Sequence, residues 1–285
     1  MKLGEGCWQC LYDIEAKLTQ DESYLADVRA ILNSWKSDES APYIEYKLNK
    51  LYAQYFGRSF RFAEVKKQFN DLMLSMVPDI RSRIEKAEDP LKVSLFMARI
   101  GNYIDFGAVK NVEAEELMKI LTETSVSESD EKTYRSFLQR CEEAKSFLLL
   151  ADNCGEIVLD MLFLEQLKRR FPQLKITVMV RGSEVLNDVT YEDAEYIGLT
   201  GLYDVVSNGE PLAGTVYSML PPEAKAAFDC ADVILSKGQG NYESAAGRGR
   251  RIFYSFLCKC NVFTEYFKVP RLTGMFIEEA ASSEQ

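Results

Sequence analysis

The first half of the chain carries apolar residues at helical spacing. Two runs show this spacing most clearly: Phe62, Val65, Phe69, Leu72, Met73 and Met76, and then Leu91, Leu95, Ala98 and Gly101. The period predicts an all-helical region from residue 10 to about residue 140. We expect breaks at prolines and at one polar stretch: Pro42, Pro78, Asp89-Pro90 and residues 122–130. These breaks divide the region into roughly five or six helices.

After residue 145 the pattern changes to short apolar runs that alternate with helical stretches. The runs predict strands at 146–151, 176–180, 205–206, 233–235 and 252–257, with a helix over 156–171. Strands that are buried on both faces and alternate with helices are typical of a parallel sheet. We therefore predict a Rossmann-like three-layer α/β/α domain with a parallel-rich sheet at residues 136–285, preceded by an all-helical domain at residues 1–135.

Polar turns that contain glycine, or lie beside it, follow four of the predicted strands. They are Asp152-Asn153, Arg181-Gly182 with Asn187-Asp188 just beyond, Asn208-Gly209, and SKGQGN at residues 236–241. In an open parallel sheet, ligands bind in the crevice outside the carboxyl ends of the strands. We therefore expect the four turns to meet at one edge of the sheet.

Two of these turns supply oxygen ligands that suit a metal ion. Asp152, Asn153 and Asp188 offer carboxylate and amide oxygens, which hard divalent cations prefer. The alternative is helix capping, with Asp152 or Asn153 capping the helix that begins near Gly155 and Asp188 capping the next helix. Taken alone, the local sequence favours the caps.

The SKGQGN turn has the composition of a phosphate site. Its glycines can turn backbone N–H groups toward an anion, and Lys237 adds a positive charge. It is neither a Walker loop nor a dinucleotide fingerprint, so a plain tight connection is the alternative.

Asn102 and Asp105 lie three residues apart and could reach the same crevice, or they could mark the end of a helix.

Composition and charge narrow the possible chemistry. The chain has 285 residues, of which 47% are hydrophobic, and a net charge of −10. This sign opposes nucleic-acid binding and favours a small-molecule or protein partner. The chain contains no histidine, so no Ser-His-Asp triad and no histidine-bearing zinc site can form. A catalytic metal would have to be held by carboxylates, amide oxygens or thiolates.

The absence of long apolar runs and the odd number of cysteines indicate an intracellular protein. No run of about 18 apolar residues occurs, so we expect no membrane association and a cytoplasmic location. Seven cysteines, an odd number, fit a reducing compartment. Cys7 and Cys10 could bind a soft metal with Cys258 and Cys260, act as a redox pair, or be ordinary thiols. Cys154 lies beside the acidic turn, but no histidine is present to activate it as a nucleophile.

Five ordered stretches together resemble the domain-of-unknown-function 89 family of metal-dependent damage-control phosphatases, some of which are called acidic-residue-methyltransferase-like. They are CWQC at 7–10, GNYIDFG at 101–107, DNCGE at 152–156, RGSEVLNDVTYED at 181–193 and SKGQGNYE at 236–243. The resemblance covers nearly the whole chain. The amino-terminal CxxC resembles the short microbial branch of the family.

The resemblance implies roles for individual residues. It places the metal ligands at Asp152, Asn153 and Asp188 and the phosphate-binding lysine at Lys237. It also implies that Asn102 and Asp105 help line the substrate pocket. The last strand departs from the family's usual Lys-Cys-Pro, because this chain has Lys259-Cys260-Asn261.

The leading hypothesis is a phosphatase that hydrolyses small phosphorylated metabolites such as sugar phosphates with Mn, Mg, Co or Ni. Asp152, Asp188 and Glu156 are the expected catalytic residues, with Glu156 or Asp188 orienting a water, and Arg181 and Gly238 join the phosphate-binding set. Two alternatives remain open. One is an S-adenosylmethionine-dependent carboxyl methyltransferase, and the other is a non-enzymatic protein that binds a metal or metabolite. The pattern indicates no oligomeric state.

Overall fold

A computed structural model describes residues 5–57, 61–101, 118–121 and 126–281. The helices with described bounds before the sheet are α1 (Glu5–Leu18), α2 (Glu22–Asn33), α3 (Ala41–Phe56), α4 (Ala63–Lys86), α5 (Pro90–Gly101) and α6 (Glu128–Glu143), and residues 118–121 are also helical. Five more alternate with the strands: α7 (Glu156–Arg170), α8 (Tyr191–Tyr196), α9 (Pro222–Cys230), α10 (Gln239–Ala245) and α11 (Asn261–Phe267). No helix among these residues is long and apolar enough to cross a membrane.

The sheet has six strands: β1 (Ser146–Leu150), β2 (Lys175–Val180), β3 (Asp204–Ser207), β4 (Val233–Lys237), β5 (Ile252–Leu257) and β6 (Gly274–Glu279). Their order across the sheet is β3-β2-β1-β4-β5-β6. The first five strands are parallel and β6 is antiparallel to β5. The chain order reverses direction at β1, so the crevice expected of such a sheet lies outside β1 and its neighbours β2 and β4.

Alternate residues of each strand fill two separate cores. Phe147 and Leu149 of β1 face a core shared with helices α4 to α7, whereas Leu148 and Leu150 face a core shared with α9 to α11. A third, smaller core joins α1, α2 and α3. Because successive side chains of a strand point to opposite faces, the apolar run of β1 needs a helical layer on each side.

The three-layer α/β architecture predicted from the sequence is confirmed, and two details are wrong. The chain continues as one helix, α4, through Pro78, because Met76 and Ile80 on either side of the proline are buried in the core. Strand β6 is absent from the predicted set, because this edge strand is mostly half-buried and lacks a continuous apolar run. The division at residue 135 stays a prediction, and that residue lies within α6.

Candidate active site

The turns that follow β1 and β2 meet at the carboxyl end of the sheet. Beyond β2 the chain folds back on itself, because the Arg181 backbone N–H donates to the Val189 carbonyl over 2.8 Å. The Val189 N–H in turn donates to the Asp152 carbonyl over 2.9 Å, and Asn153 forms a backbone bridge with Asp188. These contacts place Asp152, Asn153 and Asp188 side by side, as the sequence predicts.

Arg181 lies between the two carboxylates. Its Nε donates to Asp188 Oδ2 over 2.6 Å, and a terminal nitrogen is 3.3 Å from Asp152 Oδ1. The other terminal nitrogen donates to Asn241 Oδ1 at 3.0 Å and to the Gly214 carbonyl at 3.2 Å. The side chain is only 1% exposed. In this arrangement the guanidinium fixes the spacing of the carboxylates from within the protein.

The electrostatics of this corner favour a cation. Burial raises the pKa of Asp152 well above its usual value, and the charges of Asp188 and Glu156 raise it further. Arg181 and Lys259 lower the same pKa without cancelling the effect. An added positive charge beside these carboxylates would lower the pKa of Asp152 and stabilise its ionised form.

The capping interpretation of these residues is wrong for their side chains. Helix α7 is capped by Gly155 at φ 80°, without a side-chain hydrogen bond, and the Ile157 N–H donates to the Asn153 backbone carbonyl at 3.1 Å. Helix α8 is capped by Thr190 in a reciprocal pair with Asp193. The side chains of Asn153 and Asp188 are therefore not used as helix caps.

Gly238 brings the backbone of the SKGQGN turn against the Asp152 carboxylate. A Cβ atom at this position would lie 2.0 Å from Asp152 Oδ2 and 2.1 Å from Cγ. The residue has φ 77° and ψ 155°, a conformation found almost only in glycine. Glycine is required here because no side chain fits between the turn and the carboxylate.

Comparison with known proteins gives the family of this chain. A family model described as the damage-control phosphatase ARMT1-like domain matches residues 5–273. The chain belongs to this family. A damage-control phosphatase of Archaeoglobus fulgidus is 27% identical over 271 residues, which cover 91% of this chain and 93% of that protein. A damage-control phosphatase of Pyrococcus horikoshii is 30% identical over 221 residues, 76% of this chain and 74% of the relative.

A solved structure agrees with this assignment to the ARMT1-like family. The crystal structure of a DUF89 family protein from Pyrococcus horikoshii superposes with a TM-score of 0.81 at 25% identity. The superposition covers 97% of this chain and 99% of that one. The resemblance inferred from the sequence motifs is therefore confirmed, and the similarity extends over both the helical half and the sheet.

Besides Arg181, two more predicted site residues of this ARMT1-like chain face the interior. Lys237 is 0% exposed, and its Nζ donates to the Ala98 carbonyl and to the carboxylates of Glu156 and Asp160. Glu156 is also fully buried. Phosphate binding by Lys237 and water orientation by Glu156 stay predictions, and the observed contacts tie both groups to the protein itself.

Asn241 is a structural residue of the site that the sequence did not single out. Its Oδ1 accepts from Arg181 and from Thr215, and its Nδ2 donates to the carbonyls of Ala151 and Lys237 at 3.0 and 2.8 Å. It thus joins the ends of β1 and β4 to the central guanidinium. Its place in the SKGQGN turn is the signal that could have found it.

Three charged side chains near the crevice were also missed. Lys259 follows β5 at the same edge of the sheet, is half-buried, and acts on Asp152 by its charge. Glu45 of α3 and Glu243 of α10 have pKa values raised to about 7, mainly by burial, and Glu45 is affected by both Asp188 and Glu243. The rule that ligands bind at the carboxyl ends of the strands could have found Lys259. Glu45 belongs to a distant part of the chain, so this rule could not have found it.

The remaining predictions concern Asn102, Asp105 and the cysteines. Asn102 and Asp105 lie outside the described residues. Cys154 is buried with its Sγ 4.0 Å from the Asp188 carbonyl, and burial raises the pKa of its thiol, which fits no nucleophilic role. Among the described residues, no group of three or more Cys, Asp or Glu has a metal-binding arrangement, so a soft-metal site of four cysteines finds no support.

The residues at the strand ends fit a hard divalent cation. Asp152 and Asp188 supply carboxylate oxygens. Asn153 Nδ2 donates to Asp152 Oδ2 at 2.8 Å, so the amide carbonyl oxygen is the third oxygen that would suit such a cation. With two carboxylates and one amide in the described region, a cation would complete its shell with water or substrate oxygens, as Mg²⁺ and Mn²⁺ commonly do.

Proposed function

We propose that this protein is a divalent-metal-dependent phosphatase that hydrolyses small phosphorylated metabolites, sugar phosphates among them. The observation that carries the proposal is the set of oxygen ligands at the crevice, Asp152, Asn153 and Asp188, in a chain of the damage-control phosphatase family. The family supports phosphatase chemistry over methyl transfer or simple binding. The donor set supports the metal dependence, with Mn, Mg, Co and Ni as the candidate ions.

The residues of the chain divide the work. Asp152, Asn153 and Asp188 would hold the cation, which when bound supplies electrophilic stabilisation of the phosphoryl oxygens. Lys259, half-buried at the end of β5, is the cation that we assign to the substrate phosphate. Its flexible ammonium can follow the phosphoryl group as charge develops on it.

The attacking group is proposed to be water. Asp152 is the candidate for an aspartyl-phosphate route, but Cys154 stands two residues later, where a DxD phosphatase has its second acid. This thiol is buried and its pKa is raised, so it cannot serve as an acid or base near neutral pH. Asp188 is therefore the residue that we assign to orienting the water.

The mouth of the crevice supports a substrate rich in hydroxyl groups. Glu45 of α3 is close enough to Asp188 and to Glu243 of α10 for their charges to raise its pKa, and both glutamates have pKa values raised to about 7. Carboxyl groups accept hydrogen bonds from hydroxyls in either protonation state. This arrangement is the basis for proposing sugar phosphates rather than apolar esters.

A phosphate-release screen tests the proposal. The wild-type chain is incubated with sugar phosphates and generic esters in Mg²⁺, Mn²⁺, Co²⁺ or Ni²⁺, and in chelator. We expect release that requires a metal, and a loss of at least about 100-fold in Asp188→Asn, because a ligand and water-orienting group is removed. Asp204→Asn is the matched control, since Asp204 lies at the opposite end of the sheet and is 59% exposed. If no ester gives metal-dependent release, the proposal is wrong.

A further inference from the structure

Lys237 is surrounded by three acceptors deep inside the protein. Its Nζ is 2.6 Å from Glu156 Oε1, 2.6 Å from Asp160 Oδ1 and 3.1 Å from the Ala98 carbonyl oxygen. An ammonium has three N–H donors, and these contacts use all of them. Glu156 and Asp160 are one turn apart on α7, and Ala98 belongs to α5. Lys237 therefore ties the end of β4 to both helices.

Glu156 extends this cluster to the metal corner. Its second oxygen, Oε2, accepts from Asn153 Nδ2 at 3.4 Å, and the same nitrogen donates to Asp152 Oδ2 at 2.8 Å. The amide nitrogen is thus held by two carboxylates. Because an amide has its oxygen opposite its nitrogen, this contact turns the Asn153 carbonyl oxygen away from Glu156, where it is available as a ligand.

We infer that Lys237 and Glu156 are positioning residues that orient Asn153 for the metal, and that Lys237 does not contact the substrate phosphate. The inference rests on the proposed metal site at Asp152, Asn153 and Asp188. Groups that orient a metal ligand from behind commonly change metal affinity by about 10 to 100-fold when they are lost. Lys237 acts indirectly, because it fixes the Glu156 carboxylate, which in turn holds the Asn153 amide.

The structure offers a matched pair of substitutions to test this role. Glu156 and Asp160 are both fully buried, and both accept from Lys237 at 2.6 Å. Of the two, Glu156 also accepts from Asn153. Glu156→Gln leaves one acceptor oxygen where the native residue uses two, so it cannot serve Lys237 and Asn153 together. Asp160→Asn makes the same chemical change without touching the amide.

The experiment measures Mn²⁺ binding to the full chain by calorimetry, and inhibition by inorganic phosphate at saturating Mn²⁺. We expect Glu156→Gln to weaken Mn²⁺ binding by about tenfold or more and Asp160→Asn by less than about twofold. Inhibition by phosphate should stay within about twofold of wild type in both variants. Equal effects of the two substitutions on Mn²⁺ affinity would show a merely structural cluster and overturn the inference.

A double variant separates positioning by Lys237 from contact with phosphate. Lys237→Met combined with Asp160→Asn removes one charge of each sign, so the net charge of the cluster is unchanged and the fold is spared a second unpaired acid. We expect weaker Mn²⁺ binding and unchanged inhibition by phosphate. Unchanged Mn²⁺ binding with phosphate inhibition weakened about tenfold would instead assign Lys237 to the substrate.

The wild-type measurement separates this inference from the proposed function. If wild type binds no Mn²⁺, both are wrong. If wild type binds Mn²⁺ and the variants do not behave as expected, the inference alone is wrong.

Discussion

Gly238 is the position where a single added methyl group should disable the site. In Gly238→Ala the new Cβ would lie 2.0 Å from Asp152 Oδ2 and 2.5 Å from Oδ1. Non-bonded heavy atoms pack at about 3.5 Å, so either the carboxylate or the turn must move by about 1.5 Å. The carboxylate is the more mobile of the two, because the Gly238 N–H is fixed to the Ser255 carbonyl at 3.1 Å within the sheet.

The size of the effect follows from the displacement. A misplacement of about 1 Å in a catalytic group can cost about 100-fold in rate, and Asp152 is also a proposed ligand. We therefore expect turnover to fall by at least about 100-fold and Mn²⁺ affinity to fall as well. The backbone at φ 77° and ψ 155° adds a loss of about 1–3 kcal/mol in the free energy of unfolding.

The control is Gly57→Ala, in which a Cβ at φ 63° would meet nothing within 4 Å. This variant should lose about 1–2 kcal/mol of unfolding free energy through the left-handed backbone alone and keep its activity. Unfolding in urea, phosphate release and Mn²⁺ calorimetry are measured on both variants. A Gly238→Ala protein that is as active as Gly57→Ala would show that the turn moves instead, and would refute the close-packing argument.

Two further predictions concern buried charges. Burial raises the pKa of Asp160 from 3.8 to about 7 against the attraction of Lys237. The wild type should therefore lose up to about 4 kcal/mol of unfolding free energy between pH 4 and pH 7, and Asp160→Asn should not show this loss. Urea unfolding of both proteins at pH 4, 6 and 8 measures the difference. If the unfolding free energies of the two proteins change with pH in parallel, the prediction is wrong. Arg181→Met in chelator should lose about 3–5 kcal/mol, since two buried carboxylates lose their partner; a loss no greater than in the exposed Arg248→Met would contradict this.

Much of the sheet is predictable because its signal is local. The apolar run at 252–257 predicts β5 at its observed bounds, and the run at 233–235 predicts β4 within two residues, because strands buried on both faces form continuous apolar runs. Strand β6 has a mixed sequence at the edge of the sheet, where only one neighbouring strand is needed. Pro78 shows the converse, since a local helix-breaking signal gives way to burial on both sides of it.

The site is predictable in position more than in detail. The rule that ligands bind at strand ends is enough to bring Asp152, Asn153 and Asp188 to one corner from the sequence alone. The rule says nothing about which way a long side chain turns, so it could not show that Lys237 points into the protein. Glu45 has no local signal at all, because it enters the crevice from a helix more than a hundred residues earlier in the chain.

The buried side chains of Arg181 and Lys237 face inward because each is paired with two buried carboxylates. Arg181 pairs with Asp152 and Asp188, and Lys237 pairs with Glu156 and Asp160. When all six groups are ionised, two positive charges stand against four negative ones, and two negative charges remain. Charges this deep in a protein are stable only when they are neutralised. The proposed divalent cation at the Asp152 corner would supply two positive charges, so the buried charges that join the strand ends are also the ones that this cation would neutralise.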